Sequence, residues 1–108
     1  MKKGDLVIVP FPFTDLSSLK RRPACVLSST GQDVVLAFIT TKLFYESQVS
    51  IRLLPAEKNG LKKESLIRID KLATLDQKMV IGKLGEIEFE KIRELNLKMI
   101  DYYQLKSP

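Results

Sequence analysis

The chain has no histidine, no tryptophan and a single cysteine. Without histidine, neither a zinc site of the usual His/Cys type nor a triad built on imidazole can be assembled. Any chemistry must run on Arg, Lys, Ser, Thr, Tyr or carboxylates. One cysteine permits no internal disulfide, and Cys25, set in Ala24-Cys25-Val26-Leu27, reads as a buried, inert thiol in a cytoplasmic protein. No apolar run approaches the ~20 residues of a membrane span. Lys2-Lys3 ahead of Leu6-Val7-Ile8-Val9 imitates a secretory signal, but Asp5, Pro10 and Pro12 break up the apolar region such a signal needs. Repeats, low-complexity tracts and linkers are missing too. The 108 residues therefore read as one domain, 1–108, with a modest core.

What is present is a globular composition, 44% hydrophobic and 29% charged. Lys and Arg outnumber Asp and Glu by 18 to 13, a net charge of +5 that favours a polyanionic partner such as nucleic acid. Residues 6–9 read as a strand closed by Pro10 and Pro12, followed by a long loop over 11–22. A second strand takes 24–28 and Thr30-Gly31-Gln32-Asp33 turns the chain. Residues 34–39 are apolar without alternation, which predicts a central strand covered on both faces, stopping at Thr40-Thr41-Lys42. Val49, Ile51 and Leu53 alternate with polar residues up to Pro55, and Asn59-Gly60 marks a turn. Residues 65–70 alternate again, Ile67 and Ile69 on one face, Leu66 and Arg68 on the other. Thr74, with Gln77 three residues on, predicts a short capped helix. Gly82 and Gly85 bracket a brief strand. From Glu88 the spacing of Phe89, Ile92, Leu95, Met99, Ile100 and Tyr103 predicts a helix with an apolar face. The fold class is α+β and β-rich: a small barrel of five to six strands with a C-terminal helix packed against it.

One stretch organises the candidate chemistry. In Arg21-Arg22-Pro23, the proline fixes the start of the second strand and pushes Arg22 to extended geometry. A guanidinium on such a rigid lip suits a phosphate, the alternative being a solvated loop arginine. Thr40, at the end of the third strand, is either a hydroxyl donor or a strand-end threonine bonded to backbone. Lys42, Arg52 and Arg68 either line a phosphate track or belong to solvated strand faces. Phe44 and Tyr45 either stack on unpaired bases or pack at a dimer seam.

The order of these pieces resembles the MazF/PemK toxin family, SH3-like barrels that cleave RNA in bacterial and archaeal toxin–antitoxin systems. The likeness is carried by Lys3-Gly4-Asp5-Leu6-Val7, Arg22-Pro23, Ala37-Phe38-Ile39-Thr40 and residues 66–76, and spans nearly the whole chain. It implies a metal-independent, cofactor-free endoribonuclease of single-stranded RNA, acting as a homodimer and silenced by a cognate antitoxin. It further implies that Arg22 and Thr40 act together at the scissile phosphate, with Thr41 in that place if the strand ends one residue later. Arg21, Lys42 and Arg68 are the expected RNA contacts beside them. The chain departs from the family at 15–21, where relatives carry a Gly- and Glu-containing stretch; Asp15 is the carboxylate offered here in its place. The related CcdB-type barrel, which binds DNA gyrase without nuclease activity, is the alternative reading. A non-catalytic RNA-binding relative is a third.

Overall fold

Six strands and one helix emerge in the computed structural model, which describes residues 1–10 and 20–107. They are β1 (Asp5–Pro10), β2 (Arg21–Ser29), β3 (Asp33–Thr40), β4 (Ser50–Leu53), β5 (Ser65–Asp76), β6 (Gly82–Glu86) and α1 (Phe89–Tyr102). All pair antiparallel in the order β4-β5-β3-β2-β1-β6. β4 and β6 lie at opposite ends of that order, so the expected barrel is a half-barrel with its seam open. Asp15, the carboxylate offered in the loop before β2, lies outside the described residues.

The alternation of side chains along each strand divides the core in two. One cluster joins Leu6, Cys25, Ala37, Ile39, Ile51, Ile67 and Ile69 to Leu95 of α1. The other joins Val7, Val9, Ala24, Val26, Val34 and Leu36 to Leu75, Met79 and Val80. β3 contributes to both, which is why its sequence shows no polar alternation. Each Val, Leu or Ile among them taken fully out of water stabilises the fold by ~1.5–3 kcal/mol. Burial at Cys25 pushes its thiol up to about 12, so it is inert, as expected.

Two positions require glycine. Gly31 carries φ +91° between β2 and β3. At Gly85 a Cβ would stand 2.2 Å from the carbonyl oxygen of Lys58, because the 57–59 turn lies directly on β6.

Three expectations are corrected. β2 starts at Arg21, since Pro10 and Val9 of β1 pair with Arg21 and Arg22; the dibasic pair is strand, not loop. Thr74 caps no helix: it pairs with Val35, and β5 runs on to Asp76 because β3 offers partners that far. The cap belongs to Asp76, whose carboxylate accepts the Lys78 N–H at 2.8 Å ahead of a 3-10 turn, Gln77–Met79. On α1, Leu95 is buried and Ile92 and Met99 pack beside it, but Phe89 is 73% exposed and Ile100 also faces solvent. The helix covers the sheet along a narrower strip than its apolar spacing predicts. Tyr103, past its end, donates a hydrogen bond to the Ile69 carbonyl. Among the described residues no helix is long and apolar enough to cross a membrane.

Candidate active site

The register brings the two leading candidates together. Ala24 of β2 faces Phe38 of β3, and the same antiparallel register carried two residues further sets Arg22 opposite Thr40. Directly opposed residues lie with Cα atoms about 5 Å apart and their side chains on one face. On the other side, Thr40 faces Leu66 of β5, and Arg22 faces Val9 of β1. By this register a basic residue and a hydroxyl fall on the same face of the sheet, the one that carries the Val7–Leu36 cluster, at the end of β3. β3 ends at Thr40. Thr41 lies beyond it and is exposed, so the strand-ending role belongs to Thr40.

Thr40 is bonded to backbone, as one of its readings had it. Its Oγ1 accepts the backbone N–H of Lys42 at 3.1 Å, which fixes the oxygen. That bond uses a lone pair and leaves the hydroxyl proton to be donated. Lys42 is exposed beside it.

Arg21 is not brought into this group. Successive strand residues point to opposite faces, so Arg21, paired with Pro10, lies on the other side of the sheet from Arg22. Arg68 does share the face of Thr40, being paired with Phe38 and with Ser50. Its charge is already engaged: Nε and Nη2 donate to the two Asp70 oxygens at 3.3 and 2.8 Å, and the guanidinium lies 4.4 Å over the Tyr45 ring. Burial pushes the Asp70 carboxyl up, and the bonds from Arg68 more than reverse it, leaving it below its ordinary value. Arg52 is bridged to Glu46 at 2.5 Å and Glu64 at 2.6 Å. The expected phosphate track of Lys42, Arg52 and Arg68 therefore reduces to Lys42, with the two arginines held by carboxylates.

Asp70 and the place of Tyr45 are what sequence reasoning missed. A signal existed for Asp70: residues two apart on a strand share a face, so Arg68-x-Asp70 is an ion-pair spacing. Tyr45 over Arg68 had none, since the contact depends on where the 43–45 turn folds back. Among the described residues no three or more Cys, Asp and Glu side chains come together as a metal site.

Residues 2–102 match the model of a family described as the PemK-like, MazF-like toxin of type II toxin–antitoxin systems. No curated protein matches the sequence significantly. Solved structures do match the fold. The Mycobacterium tuberculosis toxin MazF-mt6 aligns with TM-score 0.78 at 18% identity, over 95% of this chain and 99% of that one. A mycobacterial endoribonuclease in complex with its cognate antitoxin aligns with TM-score 0.78 at 17% identity, over 100% and 99%. MazF from the Deinococcus radiodurans MazE–MazF structure aligns with TM-score 0.73 at 21% identity, over 95% and 94%.

Proposed function

Because the chain belongs to the PemK-like, MazF-like toxin family of type II toxin–antitoxin systems, we propose that it is a sequence-selective endoribonuclease that cuts single-stranded RNA in the cytoplasm. The observation that carries this is the β2–β3 register, which, extended two residues past Ala24–Phe38, brings Arg22 to Thr40. In the reaction the ribose 2′-hydroxyl attacks the adjacent phosphorus and the bond to the 5′ oxygen breaks. A 2′,3′-cyclic phosphate and a 5′-hydroxyl result. The proton lost from the 2′-hydroxyl is balanced by one gained at the 5′ oxygen. Negative charge gathers on the phosphoryl oxygens in the transition state. Arg22 meets it with a planar fork of N–H donors, and Thr40 adds its hydroxyl from a position its backbone bond has fixed. Neither donor needs a metal ion.

Residues 1–108 act as one domain in this reading, with a second copy of the chain and a cognate antitoxin as protein partners. A related endoribonuclease is solved with its antitoxin, which supports the latter.

Arg22→Ala is expected to slow cleavage by about 100-fold or more, the effect of losing one fixed donor, with little change in thermal stability. Arg22→Lys is expected to recover little, since an ammonium has no bidentate fork. Cleavage is measured on single-stranded RNA with EDTA present, and the product ends by mass spectrometry. Full activity in Arg22→Ala sinks the assignment, and 5′-phosphate ends sink the mechanism. Gyrase poisoning without cleavage replaces it with the CcdB-type reading, and RNA retention with neither activity marks a non-catalytic relative.

A further inference from the structure

Soon after Thr40 the chain enters a 3-10 turn, Leu43–Tyr45. The turn is closed by Tyr45 N–H to the Lys42 carbonyl at 3.1 Å and Glu46 N–H to the Leu43 carbonyl at 3.0 Å. At its centre Phe44 is 76% exposed, yet it is held from behind. Its ring centroid lies 4.4 Å from that of Tyr45, tilted 38°. Tyr45 in turn lies under the Arg68 guanidinium, and Arg68 is tied by two bonds to Asp70. Four side chains thus form a column anchored in β5 and ending in an open aromatic ring.

A ring fixed in this way loses little conformational freedom when something flat is laid on it. The surroundings say what fits. Leu43 and Tyr45 are exposed beside Phe44, though far less than it, and Thr41, Lys42, Glu46 and Ser47 flank the turn, so the apolar surface is a single turn set among polar groups. Lys42 supplies a positive charge beside it. A flat, apolar face joined to an anionic backbone matches both features. Four residues of extended chain reach about 14 Å at most, and a 3-10 turn shortens that, so Phe44 stands within about 14 Å of Thr40, a span of two to three nucleotides or less.

We infer that Phe44 is a stacking platform for an unpaired nucleobase of the RNA whose phosphate lies at Arg22 and Thr40, and that Tyr45, Arg68 and Asp70 position it. The inference rests on the nuclease reading for where the phosphate lies. Stacking on an aromatic ring is worth ~1–3 kcal/mol per base, which is about 5- to 150-fold in affinity.

The test measures binding by fluorescence anisotropy, with a labelled random-sequence pool of 2′-O-methyl RNA that cannot react by 2′-hydroxyl attack. Phe44→Ala is expected to bind about tenfold more weakly. Phe44→Leu keeps apolar bulk but has no π face, and is expected to bind nearly as weakly. Phe44→Trp is expected to bind as well as wild type. Light scattering is run on each variant. The inference is overturned if Phe44→Ala or Phe44→Leu binds within twofold of wild type, or if wild type does not bind the pool. It is equally overturned if Phe44→Ala loses binding by falling from dimer to monomer, which would give the ring to a second copy instead. The nuclease reading fails separately: platform-dependent binding by a protein that cuts no unmodified RNA removes the nuclease and keeps the platform.

Discussion

In the proposed reaction one atom of Thr40 serves structure and chemistry at once. Its oxygen is fixed by the Lys42 N–H, and fixing a donor before the reaction is what lets it stabilise charge without reorganisation. Thr40→Val keeps the branched shape but removes both functions. It is expected to cut kcat/KM by at least about tenfold, and to lower stability by about 1 kcal/mol by stranding the Lys42 N–H. Thr40→Ser restores the hydroxyl with a freer rotamer and is expected to keep part of the rate. Cleavage kinetics alongside thermal melts separate the two effects. A Thr40→Val enzyme with wild-type kcat/KM would leave the threonine a structural role alone. The hydroxyl's candidacy was visible from its place after Ala37-Phe38-Ile39; its backbone partner was not, because that bond depends on how the chain leaves β3.

At the scale of elements, the edge of the half-barrel is fastened by charge. Asp5 at the start of β1 is buried, and its carboxylate takes the Lys2 N–H at 3.0 Å together with the Lys2 and Lys83 ammonium groups, both at 3.3 Å. Glu86 of β6 bridges the same two lysines at 3.1 and 3.2 Å. Burial pushes the Asp5 carboxyl up, but its three donors outweigh that and hold it below the ordinary 3.8. Hydrogen bonds from Lys2 and Lys83 lower Glu86 likewise. A carboxyl lowered by folding contributes stability that is complete above its unfolded pKa and is lost as pH falls through the folded one. The melting temperature is therefore expected to drop as pH is taken from 5 towards 3, and to drop less steeply in Asp5→Asn. Parallel melting curves for the two proteins would refute the fastening. The two lysines that converge on Asp5, Lys2 and Lys83, stand 81 positions apart, which no local pattern spans.

Over the whole molecule, charge and exposed apolar surface point to partners. The net charge of +5 draws RNA, and it would also draw an acidic antitoxin segment able to fold on binding and exclude RNA. Phe89, Leu97 and Ile100 leave an apolar stripe on α1 open to solvent, and a small core gains from shared burial. The purified protein is expected to be a dimer at micromolar concentration by light scattering. Inhibition by the antitoxin is expected to weaken as salt rises, since screening acts first on exposed charges. A monomer would count against the shared surface, and inhibition that left RNA bound would count against exclusion.

Composition alone removed histidine chemistry, and periodicity located all six strands and the helix, because alternation and turn residues are local consequences of backbone geometry. The resemblance carried by Arg22-Pro23 and Ala37-Phe38-Ile39-Thr40 singled out the two residues of the proposed site. Three things were decided only by the tertiary structure. Register set Arg22 opposite Thr40 and turned Arg21 to the far face. Pairing with β3 drew Thr74 into a strand against its capping pattern, since cross-strand bonds outweigh a local preference. Packing gave Arg68 to Asp70 and Tyr45, so that a residue read as a phosphate contact became the support of an aromatic column. Each of these depends on residues brought together across strands, and sequence spacing carries no record of which strand will lie beside which.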